Sequence, residues 1–119
     1  EAHVRKRAAE TMSAVLKSEE ASPILLNGAM RFAANFGLTE AVPAIREKLA
    51  DPRPAVSARA AEVLTVLKAK DPETRKALEV ALDPARTWAA PAGLDARSFG
   101  EMDVGFAQGR VKRALELLK

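Results

Sequence analysis

The chain has 119 residues, with 19 lysines and arginines against 16 acidic residues, one histidine, one tryptophan and neither tyrosine nor cysteine. That length suits one domain with a modest core, and the missing cysteine excludes disulfides, thiol catalysis and thiolate metal sites. The net charge of +3 is spread through interleaved signs, which excludes an obvious polycationic face, and no apolar run approaches the ~18 residues of a membrane span.

A first helix is expected over 2–18, followed by a polar link at Glu19-Glu20-Ala21. Ser22-Pro23 then reads as an N-cap with proline at the first helical position, where its missing N–H is harmless. The second helix should run to Asn35, with Gly37 as its C′ residue. Thr39 is placed to cap a third helix over 40–50, with Val42, Ile45 and Leu49 inward and Pro43 tolerated in the first turn. Asp51-Pro52 and Asp71-Pro72 repeat the cap-plus-proline signal, for helices over 53–69 and 72–82. Asp83-Pro84 starts the same signal, but 84–100 holds two prolines, two glycines and Trp88 and reads as irregular. Ser98 and Glu101 have capping-box spacing. A last helix is expected over 108–118, with Val111, Ala114, Leu115 and Leu118 on one face and Gly105 and Gly109 assigned to a loose loop.

One helical pattern is printed three times, with apolar or small residues at x, x+4, x+7, x+8 and x+11. The copies are Val4, Ala8, Thr11, Met12, Val15; then Leu25, Ala29, Phe32, Ala33, Phe36; then Val56, Ala60, Val63, Leu64, Leu67. Residues at these spacings share one side of a helix, which predicts a core of Phe32, Phe36, Ile45, Leu49, Val63, Leu64, Leu67 and Leu78. The second and third copies lie 31 residues apart (Leu25 to Val56), the length of a two-helix repeat. The first and second lie only 21 apart (Val4 to Leu25), which makes the first helix the remnant of an earlier pair or an adapted cap, and the chain a piece of a longer protein.

The run Ala29-Met30-Arg31-Phe32-Ala33-Ala34-Asn35-Phe36-Gly37, then Glu40-Ala41-Val42-Pro43-Ala44-Ile45 and Leu49-Ala50-Asp51-Pro52, resembles HEAT repeats, specifically the short HEAT-like repeats first described in phycobilin lyases. Val56-Ser57-Ala58-Arg59-Ala60-Ala61-Glu62 restarts the cycle, and Val4-Arg5-Lys6-Arg7-Ala8-Ala9-Glu10 echoes it. The resemblance implies an all-α right-handed solenoid of antiparallel helix pairs, at 23–50 and 53–82. Residues 1–83 would form the repeats and 84–119 an irregular segment plus a C-terminal capping helix of the same domain. Folding back would let Trp88, Leu94, Phe99, Met102 and Phe106 cover the last repeat, with Trp88 mostly buried.

In resembling families the second helix of each pair lines the concave face. Here that puts Arg46, Glu47, Lys48, Arg75, Lys76 and Glu79 on a mixed-charge ridge, the expected contact surface for another protein, with Trp88 as a candidate anchor. The expected function is a non-enzymatic protein–protein interaction scaffold, a module of a larger, bacterial-looking cytoplasmic protein. No catalytic residue, metal or cofactor is expected: His3 has no second histidine beside it, and Glu19, Glu20, Asp51 and Glu62 look like solvated carboxylates. The alternative is a nucleic-acid-binding or DNA-repair module of glycosylase-like HEAT type. It would use Trp88 with Asp83 or Asp95 and the basic clusters Arg5-Lys6-Arg7 and Arg110-Val111-Lys112-Arg113. Aromatic residues interleaved with those clusters for base stacking are missing. An enzyme of lyase type is suggested only by the name of the repeat family.

Overall fold

A computed structural model describes residues 2–89 and 104–119; the Ser98–Glu101 pair, Asp95 and the expected covering residues Leu94, Phe99 and Met102 fall outside them. The described residues form helices joined by turns: α1 (Ala2–Lys17), α2 (Pro23–Asn35), α3 (Val42–Glu47), α4 (Pro54–Val66), α5 (Pro72–Ala81) and α6 (Val104–Leu117). One-turn 3₁₀ segments at Thr39–Ala41 and Lys48–Ala50 extend α3 at both ends.

Local chemistry accounts for most boundaries. The Ser22 hydroxyl accepts the Leu25 N–H at 3.2 Å, and Pro23 opens α2. The far end of α2 is a Schellman turn: Gly37, at φ +60°, donates its N–H to Ala34 O, and Leu38 donates to Ala33 O. At α5, the Asp71 carboxylate accepts the Thr74 N–H at 3.0 Å, and Pro72 follows as the first helical residue.

Two cap assignments need correction. Asp51-Pro52 does not open α4, because the Asp51 carboxylate turns instead to the Arg53 N–H and guanidinium, at 3.0, 2.9 and 2.8 Å. Arg53 becomes the N-cap, without a side-chain cap bond, and Pro54 begins the helix. Thr39 likewise makes no side-chain cap; Leu38 precedes a 3₁₀ turn there. A third correction concerns Gly105 and Gly109, which lie within α6 rather than in a loop.

The period recurs in the backbone itself. Ser22-Pro23 and Arg53-Pro54 begin two 13-residue helices, and each ends in a Schellman turn whose C′ residue has positive φ, Gly37 in α2 and Lys68 in α4. Lys68 donates its N–H to Thr65 O and Ala69 to Leu64 O, both at 3.0 Å. α4 is the packing hub: α2, α3, the 48–50 turn and α6 all lie against it, while α1 packs on α2 and α3, and α5 on α6 and the 48–50 turn.

That arrangement explains where the apolar pattern holds. All five α4 members, Val56, Ala60, Val63, Leu64 and Leu67, are buried. In α2 only Ala29 and Ala33 are, and the buried side includes Leu26 and Met30, one residue round the helix. Phe32 and Phe36, expected in the core, are 37% and 61% exposed. In α1 the buried residues are Ala9 and Leu16, whereas Val4 is 67% exposed. The same apolar spacing thus closes on both flanks only in α4, the helix with neighbours on several sides. Ile45, Leu49 and Leu78 are fully buried, as the spacing predicts.

Candidate functional site

The ridge residues come from α3, the 48–50 turn and α5, which are packed side by side. Glu47, Arg75, Lys76 and Glu79 are exposed and Lys48 is half-buried. Arg46 departs from the expectation. Its guanidinium turns toward α5, donating from Nε to Thr74 Oγ1 at 3.2 Å and from Nη2 to Asp71 Oδ2 at 2.9 Å. Asp71 therefore caps α5 and ties α3 to it at once, which makes Arg46 a joint of the ridge rather than a free charge upon it. Burial pushes the Asp71 carboxyl up, but the Thr74 hydroxyl and N–H, with Arg46 beyond them, hold it below the ordinary carboxylate range.

Between α3 and α5 runs a groove of about 730 Å³. Its floor is apolar, made by Leu49, Ala50, Pro52, Ala77, Val80 and Ala81, and Arg46 and Glu47 stand on its wall. Val80 is 59% exposed, so the floor is open to a ligand. Ala85, Arg86 and Thr87 close one end.

The closing strap is held by its own polar contacts. Asp83 Oδ1 accepts the Ala85 N–H at 2.8 Å, which makes Asp83-Pro84 a turn rather than a helix start. Arg86 then reaches back, donating to Ala81 O at 3.0 Å and to Asp51 O at 2.9 Å. Its guanidinium lies 3.6 Å from the centre of the Trp88 ring, a stacking contact that leaves Trp88 half-buried. The Ala89 N–H donates to Pro52 O at 2.7 Å, so the strap returns to the start of α4. Burial pulls the Arg86 pKa down, partly countered by Asp51. Beneath the strap, burial raises the Asp51 pKa, but the Arg53 guanidinium and N–H outweigh that and leave it below its ordinary value. Arg86 and Val80 are the groove residues that sequence reasoning passed over. The spacing Arg86-Thr87-Trp88, which puts cation and ring on one side of an extended strap, was the available signal for Arg86.

The other candidates lie apart. Glu62 sits on α4 between Arg59 and Arg110, at 3.8 and 3.9 Å, away from Asp51 and its Arg53 partner. Arg5 of the first basic cluster bonds Glu40 at 2.9 Å and also donates to the carbonyls of Phe36 and Gly37 at the end of α2. The Arg5 hydrogen bond is the main cause of a lowered Glu40 pKa. Arg110 of the second cluster lies 4.7 Å from the Phe106 ring centre. His3 is exposed, and among the described residues no group of three His, Asp or Glu side chains could hold a metal ion. Comparison with known protein families, with curated proteins and with solved structures found no match.

Proposed function

We propose that this chain is a non-enzymatic binding module of HEAT-like type, a short right-handed stack of helix pairs that holds a protein partner along the α3–α5 face. The observation that carries the reading is the groove itself, with an apolar floor, an exposed Val80, and acidic and basic side chains along its edge. An apolar floor gives a partner area to bury, and a rim of both signs gives register and selectivity. The packing of α2 on α4, two 13-residue helices that each open on a proline and end in a Schellman turn 31 residues apart (Gly37 and Lys68), supports the stack.

Two of the cations that a nucleic-acid site would draw on are already engaged within the protein, Arg5 with Glu40 and Arg110 beside Glu62 and Phe106. That favours a protein partner over a polyanion. Val80→Asp changes an exposed residue of the groove floor, and the paired charge swap Lys76→Glu with Glu79→Lys changes exposed residues of the neighbouring α5 ridge. Each should weaken partner binding while leaving the melting temperature within about 2 °C of the parent, since surface changes rarely exceed ~0.5 kcal/mol. Unchanged binding in both variants would remove this face from consideration. Micromolar binding to generic duplex DNA with a steep salt dependence would favour the nucleic-acid alternative instead.

A further inference from the structure

The internal repeat turns an exposed patch on α2 into a specific statement about what belongs there. A shift of 31 residues maps Leu25, Gly28, Phe32 and Phe36 of α2 onto Val56, Arg59, Val63 and Leu67 at α4. On α4 that flank is closed, with Val56, Val63 and Leu67 at 2%, 3% and 7% exposure. The helix that closes it is α2. Arg59 shares the flank with Val56 and Val63, three residues after one and four before the other, and its Nε donates to Asn27 Oδ1 of α2 at 2.7 Å. On α2 the same flank is open. Leu25, Phe32 and Phe36 are 52%, 37% and 61% exposed, and a side chain added at Gly28 would meet nothing within 4 Å.

We infer that this flank of α2 is a berth for one further amphipathic helix, stacked on α2 as α2 is stacked on α4. The occupant is defined by continuity with the α2–α4 packing rather than by exposure alone. It presents the stripe α2 turns to α4, of small and medium apolar residues around Met30 and Ala34 with a short polar side chain at the Asn27 position. Phe32 and Phe36 already stack on each other, with ring centres 4.5 Å apart, so the receiving surface is built before the helix arrives. Val4 and Ala8 of α1 form the other wall of a depression that ends on these two rings and Leu38. The berth shares no residue with the α3–α5 groove, so the two readings stand or fall separately.

The probe is this chain's own covering helix. Residues 22–38 are repeated ahead of Glu1 through a flexible linker, with polar residues replacing Leu25, Phe32 and Phe36 in the appended copy only, so that its outer side is wet. The berth predicts a gain in helical circular dichroism of about one α2, amide shifts at Gly28, Phe32 and Phe36 of the host, and a higher melting temperature. All three should vanish when the host carries Leu25→Asp with Phe36→Asp, exposed positions whose change leaves the fold intact. An appended segment that stays unstructured, with no shift at Phe32 or Phe36, overturns the inference. So does concentration-dependent dimerisation of the unextended chain that Phe36→Asp abolishes, because the occupant is then a second copy.

Discussion

Truncating Leu64 and Phe36 to alanine separates the two kinds of apolar position that share one sequence pattern. Leu64 is fully buried in the last turn of α4, the helix against which α2, α3 and α6 pack. Leu64→Ala removes its buried carbons and leaves a cavity that the surrounding helices fill only in part, a loss of about 3 kcal/mol within the usual 2–5. An unfolding entropy of roughly 2.1 cal/mol/K per residue gives about 250 cal/mol/K for 119 residues, so the melting temperature should fall by about 12 °C. Phe36 is the larger side chain but is 61% exposed. Only about 80 Å² of it is covered, taking ~200 Å² for a full ring, which at ~25 cal/mol/Å² bounds the loss near 2 kcal/mol. Since the shorter alanine side chain would retain part of that cover, Phe36→Ala should lower the midpoint by about 4 °C. Thermal unfolding followed by circular dichroism measures both. A Phe36→Ala shift as large as that of Leu64→Ala would refute the reasoning, because it would place the α2 pattern face in the core.

Lys68 holds φ +55° at the C′ position that Gly37 occupies one repeat earlier. Lys68→Gly should therefore raise stability by about 0.5–1 kcal/mol, seen as a higher urea midpoint at unchanged m-value; a lower midpoint would show that the left-handed turn is not strained. Removing the α3–α5 tie by Arg46→Ala should destabilise by about 1 kcal/mol, discounted for a side chain 24% exposed, and a double-mutant cycle with Asp71→Ala should return most of that as coupling. A coupling near zero would mean that the pair is incidental. Asp51 and Asp71 are both held below their ordinary pKa when folded, so their contribution is present above an unfolded value of about 3.9 and is lost as pH falls through the lower folded value. The melting temperature should be flat between about pH 7 and 5 and drop below about 4, with a shallower acid limb in Asp51→Asn with Asp71→Asn; an equal limb would assign the acid loss elsewhere.

Helix positions were legible because they rest on short-range chemistry. Ser22-Pro23, Asp71-Pro72 and Gly37 act within one turn of chain, and the structure shows each bond they suggest. Asp51-Pro52 carries the same signal and fails, because Arg53 lies two residues on and its guanidinium takes both carboxylate oxygens. Which side of a helix is buried is a different matter. Spacing alone gives α1, α2 and α4 one face each, but burial depends on which neighbours arrive, and only α4 is covered on both flanks. The ridge on α3 and α5 was an expectation carried by the resemblance to HEAT-like repeats, and neither it nor the spacing could give the inward turn of Arg46, since Asp71 and Thr74 lie 25 and 28 residues away. The groove was invisible for the same reason: its end wall is the Arg86 strap, fixed by the backbone carbonyls of Ala81 and Asp51.

Site-specific photocross-linking in native extract tests partner capture by the α3–α5 face most directly. One reactive side chain replaces Val80 on the groove floor and, in a second protein, Val66 near the end of α4; both positions are about 60% exposed and so sample solvent equally. The account predicts a discrete, nuclease-resistant protein adduct from position 80 that is absent from position 66. The same adduct should disappear when Lys76→Glu and Glu79→Lys are introduced together. Equal adducts at both positions, an adduct indifferent to the charge swap, or one lost on nuclease treatment would contradict it.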